Sequence, residues 1–292
     1  MTQTNPTVSV IIPTYNRAAD LQRAMESVTN QTYSDWELIV VDNHSSDNTE
    51  QVVESFQGFR VRFERIRNNG IIAASRNRGM ALSKGKYLAF LDSDDWWRPT
   101  KLEKAVATLE RGVDVVYHPL LIASPEKRPF YKRKTRARKL KSPVFRDLLV
   151  NGNPMPNSSV VVRKDLADRV GPISEDPDHR SWEDYDYWMR LARVSDRFQS
   201  LVSPLGHYWL GEGNTSNDQN TLKNLERFLE KYRTDIEESC GGLEPCWVVY
   251  TRHRLGQRAM TLGTLFRRNT GCSPAMRFRM LMVLLGRKLG LN

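Results

Sequence analysis

A chain of 292 residues that is 39% hydrophobic and 27% charged has a globular balance, with room for one large α/β domain plus an appendage, and excludes wholesale disorder. The net charge of +10 is unevenly placed: Lys127 to Lys141 and Pro245 to Asn292 each carry nine Lys or Arg and no acid, so the remainder is net acidic. Two such patches suit an anionic surface: lipid head groups, phosphates or nucleic acid.

Val8 to Ile12 is a β-branched run ended by Pro13 and reads as a buried strand. A helix over Ala18 to Thr29 follows, then a strand over Leu38 to Val41 that stops at Asp42. Ser46 to Phe56 reads as a helix, Val61 to Ile66 as a strand, and Ala73 to Ser83 as a helix ended near Gly85. Tyr87 to Leu91 is a strand with Asp92 directly after it. Thr100 and Glu103 have capping-box spacing and open a helix to Arg111, and Val113 to Tyr117 is one more strand. Strand and helix alternate with short links, which predicts an α/β fold with a mostly parallel, doubly wound sheet. Ligands gather at the carboxyl ends of such strands, where Thr14, Asp42 and Asp92 all fall.

Pro125 to Pro143 reads as a basic loop, Ser158 to Val162 as a strand, and Lys164 to Val170 and Trp182 to Ala192 as helices. Gln199 to Val202 and Gly206 to Leu210 read as strands. Beyond Asn217 the pattern is helical, over Leu222 to Glu238, Trp247 to Phe266 and Pro274 to Leu289. The expected division is a domain over 1–217, with halves 7–117 and 118–217, and a basic helical extension over 218–292. The longest apolar run, Met280 to Leu285, is far short of the roughly 18 residues of a membrane span. The polar Met1 to Thr7 has no signal-peptide core. Cys240, Cys246 and Cys272 fit neither zinc spacing nor a disulfide framework. Together these point to a cytoplasmic protein in a reducing compartment, resting on the inner face of the plasma membrane without crossing it.

Phe90-Leu-Asp-Ser-Asp-Asp-Trp96 places three carboxylates in four positions after an apolar strand, so something positive is expected there. Hard cations such as Mg²⁺ or Mn²⁺ take one or two carboxylates plus substrate phosphates, whereas a lone Asp-x-Asp is more often a helix cap. In Val40-Val-Asp-Asn-His-Ser-Ser-Asp-Asn-Thr49, Asp42 can accept from a base or ribose while Ser46 or Asp47 caps the next helix. In Trp182-Glu-Asp-Tyr-Asp-Tyr-Trp-Met-Arg190, Glu183 and Asp184 open a helix whose dipole favours carboxylates, and either can act as a general base.

These motifs, with Val8-Ser-Val-Ile-Ile-Pro-Thr-Tyr-Asn-Arg17 and Ser75-Arg-Asn-Arg-Gly79, resemble the family 2 glycosyltransferases of GT-A fold over roughly residues 7 to 216. The resemblance implies an inverting transfer of a sugar from a nucleotide-sugar donor, UDP-linked in most relatives, to a glycan or lipid-linked acceptor in cell-surface polysaccharide or lipopolysaccharide synthesis. It implies a divalent cation, Mn²⁺ or Mg²⁺, on Asp94 with Asp92. Donor contacts fall to Pro13, Thr14, Tyr15, Asp42, Arg76, Asp92 and Ser93. Trp182 stacks on sugar or fills core, as do Trp96 and Trp97. Asp184 is the base, with Glu183 second. Two departures stand out: Gly211 replaces a His common in relatives, and Val170-Gly-Pro-Ile173 replaces Gly-Gly-Phe. The mixed apolar and basic helix Pro274 to Leu289 either packs on the body or, with 127–141, meets anionic lipid.

Two other classes are weighed. A nucleic-acid binder is disfavoured because the basic segments lack interleaved aromatics beyond Phe130 and Tyr131. A nucleotidyltransferase needs a Gly-rich phosphate loop that Pro13-Thr-Tyr-Asn16 does not supply.

Overall fold

The structure is a computed structural model that describes residues 5–125, 133–211, 218–257, 263 and 272–288. The first part of the basic loop, the second half of the helix expected to Phe266 and the chain beyond Lys288 lie outside the described residues. The chain divides into two compact units, residues 1–140 with 154–214, and residues 141–153 with 215–292.

The first unit is built on a seven-stranded sheet. In chain order its strands are β1 (Val8–Thr14), β2 (Trp36–Asp42), β3 (Val61–Arg65), β4 (Tyr87–Phe90), β6 (Val115–Tyr117), β8 (Val161–Arg163) and β9 (Phe198–Ser200). They lie side by side as β3-β2-β1-β4-β8-β6-β9. β1 to β4 are mutually parallel, β8 runs antiparallel to both neighbours, and β9 is parallel to β6. All seven residues of β1 are buried, because strands flank it on both edges and helices cover both faces. The α/β class and the mostly parallel sheet expected from the alternation are present.

Helices α1 (Ala18–Thr29), α2 (Thr49–Glu54), α3 (Ile72–Leu82) and α4 (Lys101–Leu109) link the early strands. α3 sits hard against β1: a Cβ on Gly79 would lie 2.4 Å from Ile11 Cγ2, so only glycine allows this approach. Two short strands were not legible in the apolar pattern. β5 (Trp96–Trp97) and β7 (Leu121–Ala123) flank β10 (Gly206–Trp209) in a second, three-stranded sheet. α6 (Lys164–Val170) and α7 (Glu183–Val194) complete this unit.

Some local expectations fail for physical reasons. The Thr100 side chain makes no cap bond at α4; Gln31 Oε1 accepts the Leu102 N–H at 2.9 Å, and the Glu103 carboxylate accepts from the Thr32 hydroxyl at 2.8 Å. The second helix starts at Thr49 rather than Ser46, since Ser45 and Ser46 bond to Asp42 and Asn16 instead. Val202 is outside the sheet and exposed, so the strand near it is Phe198–Ser200.

The second unit holds α5 (Val144–Asn151), α8 (Asp218–Lys231), α9 (Arg233–Cys240), α10 (Cys246–Arg254) and α11 (Pro274–Lys288). The single helix expected over Leu222 to Glu238 is therefore two. α5 follows Pro143 and was not expected from the sequence; Val144, Leu148 and Leu149 bury one side of it. Cys246 and Cys272 form a disulfide, with Cα atoms 5.9 Å apart. This corrects the reading of three unpaired thiols: tertiary packing, not spacing, brings the start of α10 to the segment before α11. No helix among the described residues is long and apolar enough to cross a membrane.

Candidate active site

The site forms where β1, β2 and β4 end. Thr14 is paired in register with Asp42, and Asp92 follows β4 by two residues. The loop after β1 is fastened to the loop after β2. Asn16, held at φ 48, donates its N–H to Ser45 Oγ at 2.8 Å and accepts from the Ser46 N–H at 2.7 Å. Asp47 then accepts from the Ala18 N–H at 2.9 Å and from the Thr49 hydroxyl at 2.6 Å, serving the first turns of α1 and α2 together. A surface depression of about 660 Å³ opens here, bordered by Asn16, Arg17, Asp20 and Asp47.

Thr14 is buried and its hydroxyl has no protein partner, whereas Tyr15 is exposed. Asp42 is 0% exposed, and its carboxylate already accepts from the Ser45 N–H at 3.0 Å and faces Arg65 at 3.4 Å. The open acceptor expected of Asp42 is therefore occupied by its own loop.

The positive charge expected beside the Asp92 cluster is supplied by arginines. Arg76, buried on α3, donates to Asp92 Oδ1 at 2.8 Å and to Glu183 Oε1 at 2.6 Å. Asn157 also donates to Asp92, at 2.9 Å. Arg17 pairs with Asp94, and Arg23 donates to the Asp94 main-chain oxygen at 2.9 Å while its guanidinium lies 4.3 Å over Trp96. Ser93 is buried. Asp95 turns inward and accepts from the Trp209 N–H at 2.9 Å, tying this loop to β10. Burial, then Asp92 and Asp94, push the Asp95 carboxyl well above the usual range. Burial and Asp92 also raise Asp94, against the opposing pull of Arg17.

Glu183 and Asp184 open α7. Glu183 is buried on Arg76, and its second oxygen has no partner. Burial first, then Glu183, raise Asp184 to about 7, although Arg76 and the Tyr185 N–H favour its charged form. Desolvation thus outweighs the helix N-terminus, and the group changes charge near neutrality. The two residues differ in their surroundings: Glu183 is ion-paired with Arg76, whereas Asp184 is the one raised by burial.

Trp182 is buried, with its ring edge-on to His179 at 4.8 Å. Trp97 is buried and donates its indole N–H to the Ser158 carbonyl at 2.7 Å. Trp96 stacks on His207 at 4.7 Å, so that His is part of an aromatic stack. Asn77 exchanges two hydrogen bonds with the Ile173 main chain, both 2.8 Å, fixing the unusual Val170–Ile173 turn to α3 beside Arg76.

Sequence reasoning missed Arg17, Arg23 and Tyr208. On β10 the side chains of His207 and Trp209 share the face that meets Trp96 and Arg23, so Tyr208 points to the other face. Burial, then the charges of Asp95, Asp92, Asp94 and Asp184, hold its phenol above the usual range. Its signal was the alternation His-Tyr-Trp in a strand that returns to the Asp92 loop.

No group of three or more His, Cys, Asp or Glu side chains among the described residues is arranged to hold a metal ion. Asp92 and Asp94 offer a hard, oxygen-only donor pair, which suits Mg²⁺ or Mn²⁺ when substrate phosphates complete the shell.

Comparison with known proteins agrees with this geometry. Residues 9–171 match the family model described as glycosyl transferase family 2. An uncharacterized glycosyltransferase of Haemophilus influenzae is 31% identical over 242 residues, covering 80% of this chain and 79% of that one. Three further glycosyltransferase relatives, from Nostoc, Bacillus subtilis and Haloferax volcanii, are covered over 56%, 42% and 66% of their own length. The crystal structure of S. aureus TarS 1-349 in complex with UDP-GlcNAc superposes with a TM-score of 0.62 at 19% identity, over 96% of this chain and 81% of that one. Mannosyltransferase PcManGT from Pyrobaculum calidifontis, in complex with GDP-Man and Mn²⁺, does so with a TM-score of 0.57 at 15% identity, over 99% and 89%. These two likenesses show the fold.

Proposed function

We propose that this chain, which belongs to glycosyl transferase family 2, moves a sugar from a nucleoside-diphosphate donor to an acceptor hydroxyl by direct displacement with inversion, using Asp184 as the base. The observation that carries the reading is Asp184, raised to about 7 at the start of a helix and next to the Arg76 pair that holds Asp92. A carboxylate poised near neutrality takes an acceptor proton more readily than an ordinary exposed Asp.

Pro13, Thr14 and Tyr15 border the nucleoside, where the unpartnered Thr14 hydroxyl meets a base or ribose. Asp42 acts there through Ser45, Arg76 through Asp92, and Ser93 shapes the loop between the two carboxylates. Trp182 fixes the entry of α7. Asp94 and Asp92 hold a divalent cation, for which the Mn²⁺ complex of a fold neighbour is a precedent. Bound by these two carboxylates, such a cation would supply positive charge to offset that of the departing diphosphate. UDP is the proposed nucleotide, as in the TarS complex.

A lipid-linked acceptor fits the outer side of α11. Met276 and Met280 are buried within the second unit, while Phe278 and Met282 are 64% and 51% exposed on the opposite side of a segment that has no acid after Glu244. This face lies on anionic lipid at the cytoplasmic side of the plasma membrane, with the basic 127–141 segment as a second contact. Phe278→Ser with Met282→Ser is expected to abolish flotation with phosphatidylglycerol vesicles; unchanged flotation contradicts the membrane assignment.

A donor panel assayed for released nucleotide, with and without Mn²⁺, tests the enzymatic reading. Turnover of one UDP-sugar that disappears on chelation and in Asp94→Ala is expected. Full turnover in Asp94→Ala removes the proposed metal site.

A further inference from the structure

We infer that Arg17 competes with the divalent cation for Asp94, and that a nucleoside diphosphate relieves the competition by drawing the guanidinium onto its phosphates. The inference rests on the proposed metal site at Asp92 and Asp94 and adds a control on it. Arg17 donates to Asp94 Oδ2, and both side chains are largely withdrawn from water, at 24% and 17% exposure. A guanidinium and a divalent cation drawn to one carboxylate repel each other, so each bound form disfavours the other.

The two site arginines differ in how they are held. Arg76 is 5% exposed and bridges two carboxylates from different elements, so Asp92 keeps its partner. Arg17 borders the open depression and holds Asp94 from the end of a loop. The backbone on each side of it is pinned: Asn16 is tied to Ser45 and Ser46, Ala18 to Asp47, and the Arg17 carbonyl accepts from Leu21 at 2.8 Å. Movement is thus confined to the side chain. Asp94 keeps its place when that side chain leaves, because Arg23 grips its main-chain oxygen independently at 2.9 Å. The geometry makes Asp94 the exchangeable ligand and Asp92 the fixed one.

Metal alone binds weakly under this arrangement, since the Arg17 charge opposes it at Asp94. Metal and diphosphate bind with positive coupling, since phosphate gives the displaced guanidinium a new anion in the adjoining depression, and that coupling is reciprocal.

The test is a titration of the full chain with Mn²⁺, read by the loss of the free-ion electron paramagnetic resonance signal, with and without UDP. Wild type, Arg17→Gln, Arg17→Lys and Asp94→Asn are compared. Without UDP, Arg17→Gln is expected to bind Mn²⁺ roughly tenfold tighter than wild type, the size of one charge-assisted hydrogen bond. UDP is expected to tighten Mn²⁺ binding strongly in wild type and little in Arg17→Gln. Arg17→Lys, which keeps the charge, is expected to stay near wild type. Asp94→Asn is expected to lose binding. Equal or weaker Mn²⁺ affinity in Arg17→Gln, with binding still lost in Asp94→Asn, overturns the competition and leaves the metal site standing. Full Mn²⁺ binding in Asp94→Asn overturns the metal site itself.

Discussion

Arg76 joins Asp92, at the tip of the central strand, to Glu183, at the start of α7, through one hydrogen bond to each. Burial opposes the guanidinium charge, but Asp92 and Glu183 outweigh it and push the group further above its usual value. Removing one member of such a buried network strands the others. Arg76→Met is expected to cost about 3–5 kcal/mol in urea unfolding, because two carboxylates lose their counterion. Arg76→Lys, a point charge on a shorter reach, should recover only part of that. A midpoint unchanged in Arg76→Met would show that the carboxylates do not need the bridge.

Tyr208→Phe tests the donor that the sequence did not reveal. The charges of four acidic groups of the site act on this phenol and hold it above its usual range. The variant is expected to unfold like wild type and to lose about 10- to 100-fold in kcat/KM, the worth of one hydrogen bond to a charged partner. Wild-type kinetics would place Tyr208 outside the substrate's reach.

Lys101 and His118 are both 0% exposed, and neither Lys101 Nζ nor His118 Nε2 has a hydrogen-bond partner. Lys101 Nζ lies 3.5 Å from the Trp97 ring centre, and burial holds the amine well below its usual value. Burial, then Lys101, lower His118 to about 3. A folded-state value below the unfolded one means stability is kept above pH 6.5 and lost on acidification between about 6.5 and 3, at about 1.4 kcal/mol per pH unit. Asp94, Asp95 and Asp184 are raised and oppose this trend, so the informative quantity is a difference between variants. His118→Phe is expected to lose less stability than wild type between pH 7 and pH 5 in urea melts. Parallel losses would contradict a buried neutral imidazole.

The Cys246–Cys272 bond closes a 26-residue separation in the helical unit. By loop-closure entropy such a link stabilises by about 3 kcal/mol. Reduction is expected to lower the unfolding midpoint of wild type and to leave Cys246→Ser with Cys272→Ser unmoved. An identical midpoint with and without reductant would remove the link's contribution.

The strand ends were legible because buried parallel strands are continuous apolar runs. Val8–Thr14 and Trp36–Asp42 stand out as such, and Asp92 follows a third. The direction of β8 was not, since an apolar run carries no sign of parallel or antiparallel pairing. The Trp96–Trp97 strand is two residues long and exists only because Gly206–His207 returns to it. Among site residues, Asp92, Asp94 and Asp184 were marked by their position after a strand or at a helix start, and Arg76 by the family resemblance of Ser75–Gly79. Arg17's ion pair spans 77 positions, and the unlike fates of Glu183 and Asp184 depend on which one Arg76 reaches. The disulfide was hidden for the same reason: contact between remote segments is decided by packing, which local periodicity does not record.

The role of Asp184 is tested most directly by measuring sugar transfer and donor binding in Asp184→Asn, with the pH profile of the wild type alongside. Asp184→Asn is expected to bind the UDP-sugar within about threefold of wild type and to lose transfer by at least about 10³-fold, since the amide cannot accept the proton. Wild-type kcat/KM is expected to fall on acidification below about 7, where Asp184 takes up a proton. Transfer by Asp184→Asn at the wild-type rate, or a flat profile from pH 8 to pH 5, would contradict the account.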